Sequence, residues 1–182
     1  VALNGIGNVQ TELGNKDAAL AAFKQALECS EYLQDSTGLA INYTNIGGIY
    51  MDNRQLDSAK QYFRMAMAAN LKSGNDRGVA INHQCFGNLY ELDGEWNKAL
   101  SEYQLAYDIL ENLGSTYDLV SVDLSVVRSL INLGKYDEAR KYLNIAQNNI
   151  DSVESLEFHA ILYHVAYILN EKTGNTASAF DF

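Results

Sequence analysis

Apolar positions along this chain recur at helical spacing, in segments separated by polar or glycine-bearing junctions. Tyr43, Ile46, Ile49 and Tyr50 fall on one stripe, as do Ile81, Phe86, Leu89 and Tyr90, which predicts amphipathic helices. A second kind of segment sets small residues around one large apolar residue, as in Ala59, Phe63 and Ala66 or Ala99, Tyr103 and Ala106. The two kinds alternate, which predicts pairs of helices.

Written in rows of forty, the pattern becomes a repeat. Ala19, Ala59, Ala99, Ala139 and Ala179 share one column, and Ala26, Ala66, Ala106 and Ala146 another. Phe23, Phe63, Tyr103 and Leu143 form a third, Gly7, Gly47 and Gly87 a fourth, and Gly14, Gly94, Gly134 and Gly174 a fifth. Gly94 and Gly134 fall where helix one of a pair should end, and Gly74 and Gly114 where helix two should end, in left-handed caps. Asp17, Asp57, Asn97 and Asp137 occupy the first turn of helix two, where the helix dipole favours acceptors. Asp35, Asn75, Ser115 and Ser155 are expected N-caps that open the next row. Small residues at matched positions allow close approach of paired helices, with Phe63 filling the groove beside Gly47. The expected organisation is a single array over 1–182, with repeats near 1–34, 35–74, 75–114, 115–154 and 155–182, the first and last incomplete.

The run of small residue (Gly7, Gly47, Gly87), alanine (Ala19, Ala59, Ala99), aromatic (Phe23, Phe63, Tyr103) and alanine (Ala26, Ala66, Ala106) resembles the tetratricopeptide repeat, TPR. That repeat is commonly about 34 residues; the longer period here lengthens each helix by nearly a turn. Asn45-Ile46-Gly47-Gly48-Ile49-Tyr50 and Phe86-Gly87-Asn88-Leu89-Tyr90 are similar to the long-repeat branch, to which kinesin light chains and the peptide-sensing Rap-type regulators of bacteria belong. The resemblance implies an all-α, right-handed superhelical solenoid of antiparallel helix pairs, about 4.5 repeats long, whose first helices line a concave groove. Carried onto matching positions, the groove columns hold Asn4, Thr44, Gln84 and Leu124 in one and Asn8, Gly48, Asn88 and Arg128 in the next, while Asn45 matches the branch's characteristic asparagine. The candidate groove is therefore Asn4, Asn8, Thr44, Asn45, Gln84, Asn88 and Arg128. Amides both donate and accept, which suits the backbone of an extended peptide, and Arg128 suits a carboxylate. The competing expectation is that these amides cap neighbouring helices or tie adjacent repeats together. Two departures stand out. The family's proline is absent, and Val127 and Tyr167 stand where a small residue is expected, which should widen the helix pairs toward the C-terminus.

Composition supports this reading. The 182 residues include 13 glycines and no proline, so glycine and polar caps must supply the helix punctuation. A net charge of −10 argues against a nucleic-acid footprint. By row, 38–77 carries +2 and 78–117 carries −5; most such charges are solvated helix faces. The apolar stretch Phe158–Leu169 is broken by His159 and His164 and is too short to insert in a membrane. Cys29 and Cys85 form neither a disulfide framework nor metal-ligand spacing and are expected to pack as small apolar residues. Gly5-Ile6-Gly7 lacks the third glycine of a dinucleotide loop, and no phosphate-loop, zinc-protease or nucleophile-elbow motif occurs. The histidines are expected to be structural: His83 is alone, and His159 and His164 diverge by about 140° on a helix. Trp96 is read as packing at the start of a second helix. No cofactor, no metal and no enzyme activity are expected.

The function these features imply is a non-enzymatic scaffold that binds a protein or extended peptide segment. The alternative is a ligand- or peptide-responsive regulatory region of a larger bacterial signalling protein, a sensor kinase or transcription regulator. A start and end inside helices, with no polar capping helix, imply excision from a longer polypeptide with further domains. The compartment stays open, a soluble cytoplasmic one being the reading favoured.

Overall fold

The computed structural model describes residues 2–153 and 155–174. Among these residues the chain forms nine helices: α1 (Ala2–Glu12), α2 (Lys16–Leu33), α3 (Ser36–Asp52), α4 (Leu56–Ser73), α5 (Asp76–Leu92), α6 (Trp96–Leu113), α7 (Thr116–Asn132), α8 (Tyr136–Ile150) and α9 (Leu156–Thr173). The odd-numbered helices are the first helices of the five rows, and α2, α4, α6 and α8 are the second helices. Ala179 lies outside the described residues. The helices group into two compact units, Val1–Leu89 and Tyr90–Phe182.

The helix ends follow from the glycine columns. Gly14, Gly94, Gly134 and Gly174 all have positive φ between 72° and 76°, and Gly74 and Gly114 have φ of 65°. Each left-handed residue turns the chain so that the next N–H reaches back to a carbonyl five residues earlier: Asn15 N to Gln10 O at 2.8 Å, Glu95 N to Tyr90 O at 2.8 Å, Lys135 N to Leu130 O at 2.9 Å. These bonds satisfy carbonyls that a helix end would otherwise leave open. Two rows lack the glycine. Gln34 (φ 53°) and Arg54 (φ 58°) adopt the same conformation with a side chain in place, a geometry that costs an L-residue about 1–2 kcal/mol.

The N-terminal caps divide. Asn75 Oδ1 accepts from Gly78 N at 3.1 Å and Ser155 Oγ accepts from Phe158 N at 3.3 Å. Asp35 and Ser115 make no side-chain cap bond. The Ser115 hydroxyl instead donates to Asp118 Oδ2 at 2.7 Å.

In the first unit the core is built on close approach. Phe23 packs beneath Gly7 and Phe63 beneath Gly47; a Cβ added at Gly47 would lie 2.5 Å from the Phe63 ring. Ala19, Ala59, Phe63 and Ala66 are essentially inaccessible. Tyr62 stacks on Tyr50 at 5.3 Å between ring centroids, and Phe63 meets Phe86 edge-on at 6.1 Å. In the second unit Ala99, Tyr103, Ala106, Ala139 and Ala146 are likewise fully buried. Val127, in the small-residue column, is fully buried, and the aromatic column offers Leu143 in that row. Tyr167 is half exposed. The expectation for the cysteines holds for one only. Burial pushes the Cys85 thiol up to about 12, whereas Cys29 is exposed and packs against no core.

One core residue was not foreseen. Asp123 of α7 is inaccessible to solvent, and neither carboxyl oxygen has a hydrogen-bond partner among the described residues. Burial raises its pKa from 3.8 to about 7. Tyr107 of α6 and Tyr142 of α8 lie near it, and burial first, then the Asp123 charge, push both phenols up. Their hydroxyls donate elsewhere, to Glu111 and Gln104.

Three stability predictions follow from this packing. Gly48 has open space where a Cβ would project, so Gly48→Ala should stabilise by about 0.5–1 kcal/mol, whereas Gly47→Ala should displace a buried ring and cost about 1–3 kcal/mol. Thermal melts of the two neighbours should move in opposite directions. Arg54→Gly should relieve the left-handed strain and stabilise by about 1 kcal/mol, less the entropy that glycine adds to the unfolded chain. For Asp123, the proton is held more tightly in the folded state than in the unfolded one. Its contribution is therefore complete below pH 4 or so and is lost as pH rises through the folded pKa of about 7. Chemical denaturation between those limits should show stability falling by up to about 1.4 kcal/mol per pH unit from this group, and Asp123→Asn should remove that component.

Candidate functional site

The first helices carry the sequence's candidate groove, and the structure opens clefts between successive first helices. In the first unit a cleft of about 460 Å³ lies between α1 and α3, lined by Asn8, Thr11 and Glu12 on one side and Thr44, Asn45 and Asp52 on the other. Phe23, Phe63 and Cys85 contribute to its floor. An adjoining cleft of about 420 Å³ lies between α3 and α5, with Thr44, Asn45, Ile41, Arg77 and Ile81 in its walls. Thr44 and Asn45 belong to both, so the two clefts meet at one turn of α3.

Placement of the candidates follows their helical register. Asn8 and Asn45 come together in the α1–α3 cleft, Asn8 exposed and Asn45 half-buried. Asn4 is half-buried, and its side-chain carbonyl is buried without a partner. Thr44 serves the fold: its hydroxyl donates to Ala40 O at 2.9 Å and accepts from Asn82 Nδ2 at 3.2 Å. That second bond belongs to an amide chain. Asn82 Oδ1 accepts from Asn70 Nδ2 at 2.7 Å, and Asn70 Oδ1 accepts from Asn75 Nδ2 at 2.9 Å, linking α3, α4 and α5. Asn82 and Asn70 are buried, where an unpaired amide would be costly, so these bonds tie repeats together. Gln84 and Asn88 of α5 are half-buried, engage other residues of the chain and line neither cleft.

Arg128 belongs to the second unit, where its guanidinium already holds an internal carboxylate. Nε and Nη2 reach Glu91 Oε2 at 2.9 and 2.8 Å, and Ser129 Oγ donates to Glu91 Oε1 at 2.9 Å. The buried Tyr103 hydroxyl is a further partner of Arg128, and burial pushes its pKa up. Removing either member of the Glu91–Arg128 pair would leave a partly buried charge unanswered. Arg128 nonetheless forms one edge of a third cleft, of about 580 Å³, between α7 and α9. Ile131, Asn132, His164, Ile168 and Lys172 also line it.

Sequence reasoning missed the fourth turn of this register. Glu12, Asp52, Asn132 and Lys172 share a column one turn beyond Asn8, Gly48, Arg128 and Ile168. His164 continues the column of Asn4 and Thr44 and is exposed in the cleft. Counting the candidate columns one row and one turn further finds all of these residues. His159, by contrast, is bound locally, its Nδ1 lying 2.8 Å from Ser155 O and its Nε2 3.8 Å from Asp151. Among the described residues no helix is long and apolar enough to cross a membrane, and no group of three His, Cys, Asp or Glu residues is placed to hold a metal.

With this geometry in hand, similarity to known proteins can be stated. The crystal structure of the apo form of RapI superposes with a TM-score of 0.81 at 16% identity, over 98% of this chain and 67% of that one. A Rap protein complexed with Competence and Sporulation Factor gives 0.83 at 19% identity, over 98% of this chain and 51% of that one. A putative kinesin light chain with nearly identical TPR-like repeats, from Podosopora anserina, gives 0.74 at 12% identity, over 99% and 89%. The chain thus spans about half the length of the second of these. At such identities the likeness establishes the fold, an all-α array of TPR-like helix pairs. No curated protein sequence matches the chain. The family described as soluble NSF attachment protein, SNAP, matches residues 12–166, and the chain belongs to that family.

Proposed function

We propose that this chain is a non-enzymatic binding module that holds an extended peptide or protein segment against the exposed faces of its first helices. The observation that carries the reading is the junction at Thr44 and Asn45, where two clefts of about 460 and 420 Å³ meet on one face of α3. A backbone crossing from one to the other would pass the amides of Asn8 and Asn45, which no hydrogen bond within the described chain occupies. Amide side chains both donate and accept, so they can pair with the backbone groups of an extended peptide regardless of its sequence. Of the wider candidate set, Asn4 offers a buried unpaired carbonyl, while Thr44, Gln84, Asn88 and Arg128 contribute first to the fold. The Rap protein complexed with Competence and Sporulation Factor supports a ligand-holding role for this architecture, and the family's own name describes an attachment protein. The same resemblance supports the second reading, a ligand-responsive regulatory region within a longer polypeptide, since this chain spans 51% of that Rap protein.

The test is an array of random dodecapeptides probed with the chain and with its Asn8→Ala, Asn45→Ala double variant. Each hydrogen bond lost between the peptide and a side-chain amide is worth about 0.5–1.5 kcal/mol, so the double variant should bind the selected peptides roughly tenfold more weakly at an unchanged melting temperature. Undiminished binding would remove these amides from the contact surface.

A further inference from the structure

The α1–α3 and α7–α9 clefts are built from the same columns of the repeat but carry opposite charge. In the first unit, the column one turn beyond Asn8 and Gly48 presents Glu12 and Asp52. Lys16 approaches there only to donate to the Asp52 backbone carbonyl at 3.1 Å. In the second unit the same column presents Asn132 and Lys172, Thr44 is replaced by His164, and Gly48 by Ile168. Among the described residues no aspartate or glutamate lines the α7–α9 cleft, although the chain carries ten more acidic than basic residues. Glu171, next to Lys172, is exposed and not part of the lining. Arg128 is answered by Glu91. Among the described residues, the charge left without a partner at this cleft is that of Lys172, with the His164 ring in the same lining. Aliphatic side chains share the lining: Ile131 from α7, and Ile161 and Ile168 from α9, four residues before and three after Val165 on one helical face.

We infer that the α7–α9 cleft selects a partner segment in which an acidic residue sits beside an aliphatic one, its carboxylate toward Lys172 and His164 and its aliphatic side chain against Ile131 and Ile168. The ligand chemistry follows from complementarity: a cleft with aliphatic walls gains from burying an aliphatic side chain, and an unanswered cation at its rim favours a carboxylate and disfavours a second cation. The homologous α1–α3 cleft, with Glu12 and Asp52 in place of Asn132 and Lys172, has the opposite preference. This inference rests on the binding-module reading for the nature of the ligand and adds its charge and location.

The experiment uses the full chain and two dye-labelled, end-blocked peptides, Leu-Glu-Leu-Glu-Leu and Leu-Lys-Leu-Lys-Leu, followed by fluorescence anisotropy. The acidic peptide should bind the chain. His164→Glu with Lys172→Glu should weaken its binding at least tenfold without moving the melting temperature, and Lys172→Arg should preserve it. Lys141→Glu, on the exposed face of α8 and outside the cleft lining, should leave it unchanged. Equal binding of the acidic peptide by the chain and by the His164→Glu, Lys172→Glu variant would overturn the assignment, as would an equal loss of that binding in the Lys141→Glu variant. Binding that appears only after residues 175–182 are removed would identify the occupant as the chain's own terminus and overturn it too. If array peptides bind but neither labelled peptide does, the charge assignment alone fails; if no peptide binds at all, the binding-module reading fails with it.

Discussion

A phenyl ring lying where its partner helix has no side chain sets the geometry of the first unit. Phe23 against Gly7 and Phe63 against Gly47 bring paired helices to a separation that any Cβ at the glycine would prevent. The alanines either side of each ring must then be small, and Ala19, Ala59 and Ala66 are fully or almost fully inaccessible for that reason. Once ring and glycine are locked, each helix has a fixed rotation about its axis. That rotation decides which columns are buried and which reach the clefts. In row four the same columns hold Val127 and Leu143, both buried.

The polar residues divide according to what the packing leaves them. Asn82, Asn70 and Thr44 are drawn into bonds between helices, because burial makes an unpaired amide more costly than a constrained one. Asn8 and Asn45, which line the α1–α3 cleft, are not drawn into such bonds among the described residues. Glu91 and Arg128 show the same economy with charge. Asp123 is the exception, a carboxyl with no hydrogen-bond partner among the described residues in a fully packed position, and burial raises its pKa to about 7.

Much of this was legible in the sequence, for physical reasons that differ from feature to feature. Helix boundaries at Gly74, Gly94, Gly114 and Gly134 were readable because a left-handed cap is decided by one residue and its immediate neighbours. The core columns were readable because a period of forty places Ala59 and Ala99 in equivalent surroundings. Asp35 and Ser115 take the N-cap positions as the sequence reads, but neither side chain makes a cap bond, and the Ser115 hydroxyl donates to Asp118 instead, a rotamer choice that residue type does not fix. Which amides of the groove columns are consumed depends on contacts such as Asn82 to Thr44, separated by 38 residues, and no local pattern reports those. The charge of the α7–α9 cleft was present in the column of Glu12, Asp52 and Lys172, one turn past the columns that the family resemblance singles out.

The central claim is that the first-helix faces, and not the second helices, form the binding surface. Backbone amide chemical shifts, followed by NMR while a binding peptide is titrated in, test it residue by residue. The account predicts that the largest shifts fall on α1 and α3 around Asn8 and Asn45, or on α7 and α9 around Asn132 and His164, according to the peptide's charge. Shifts concentrated instead on the exposed faces of α2, α4, α6 or α8 would contradict it.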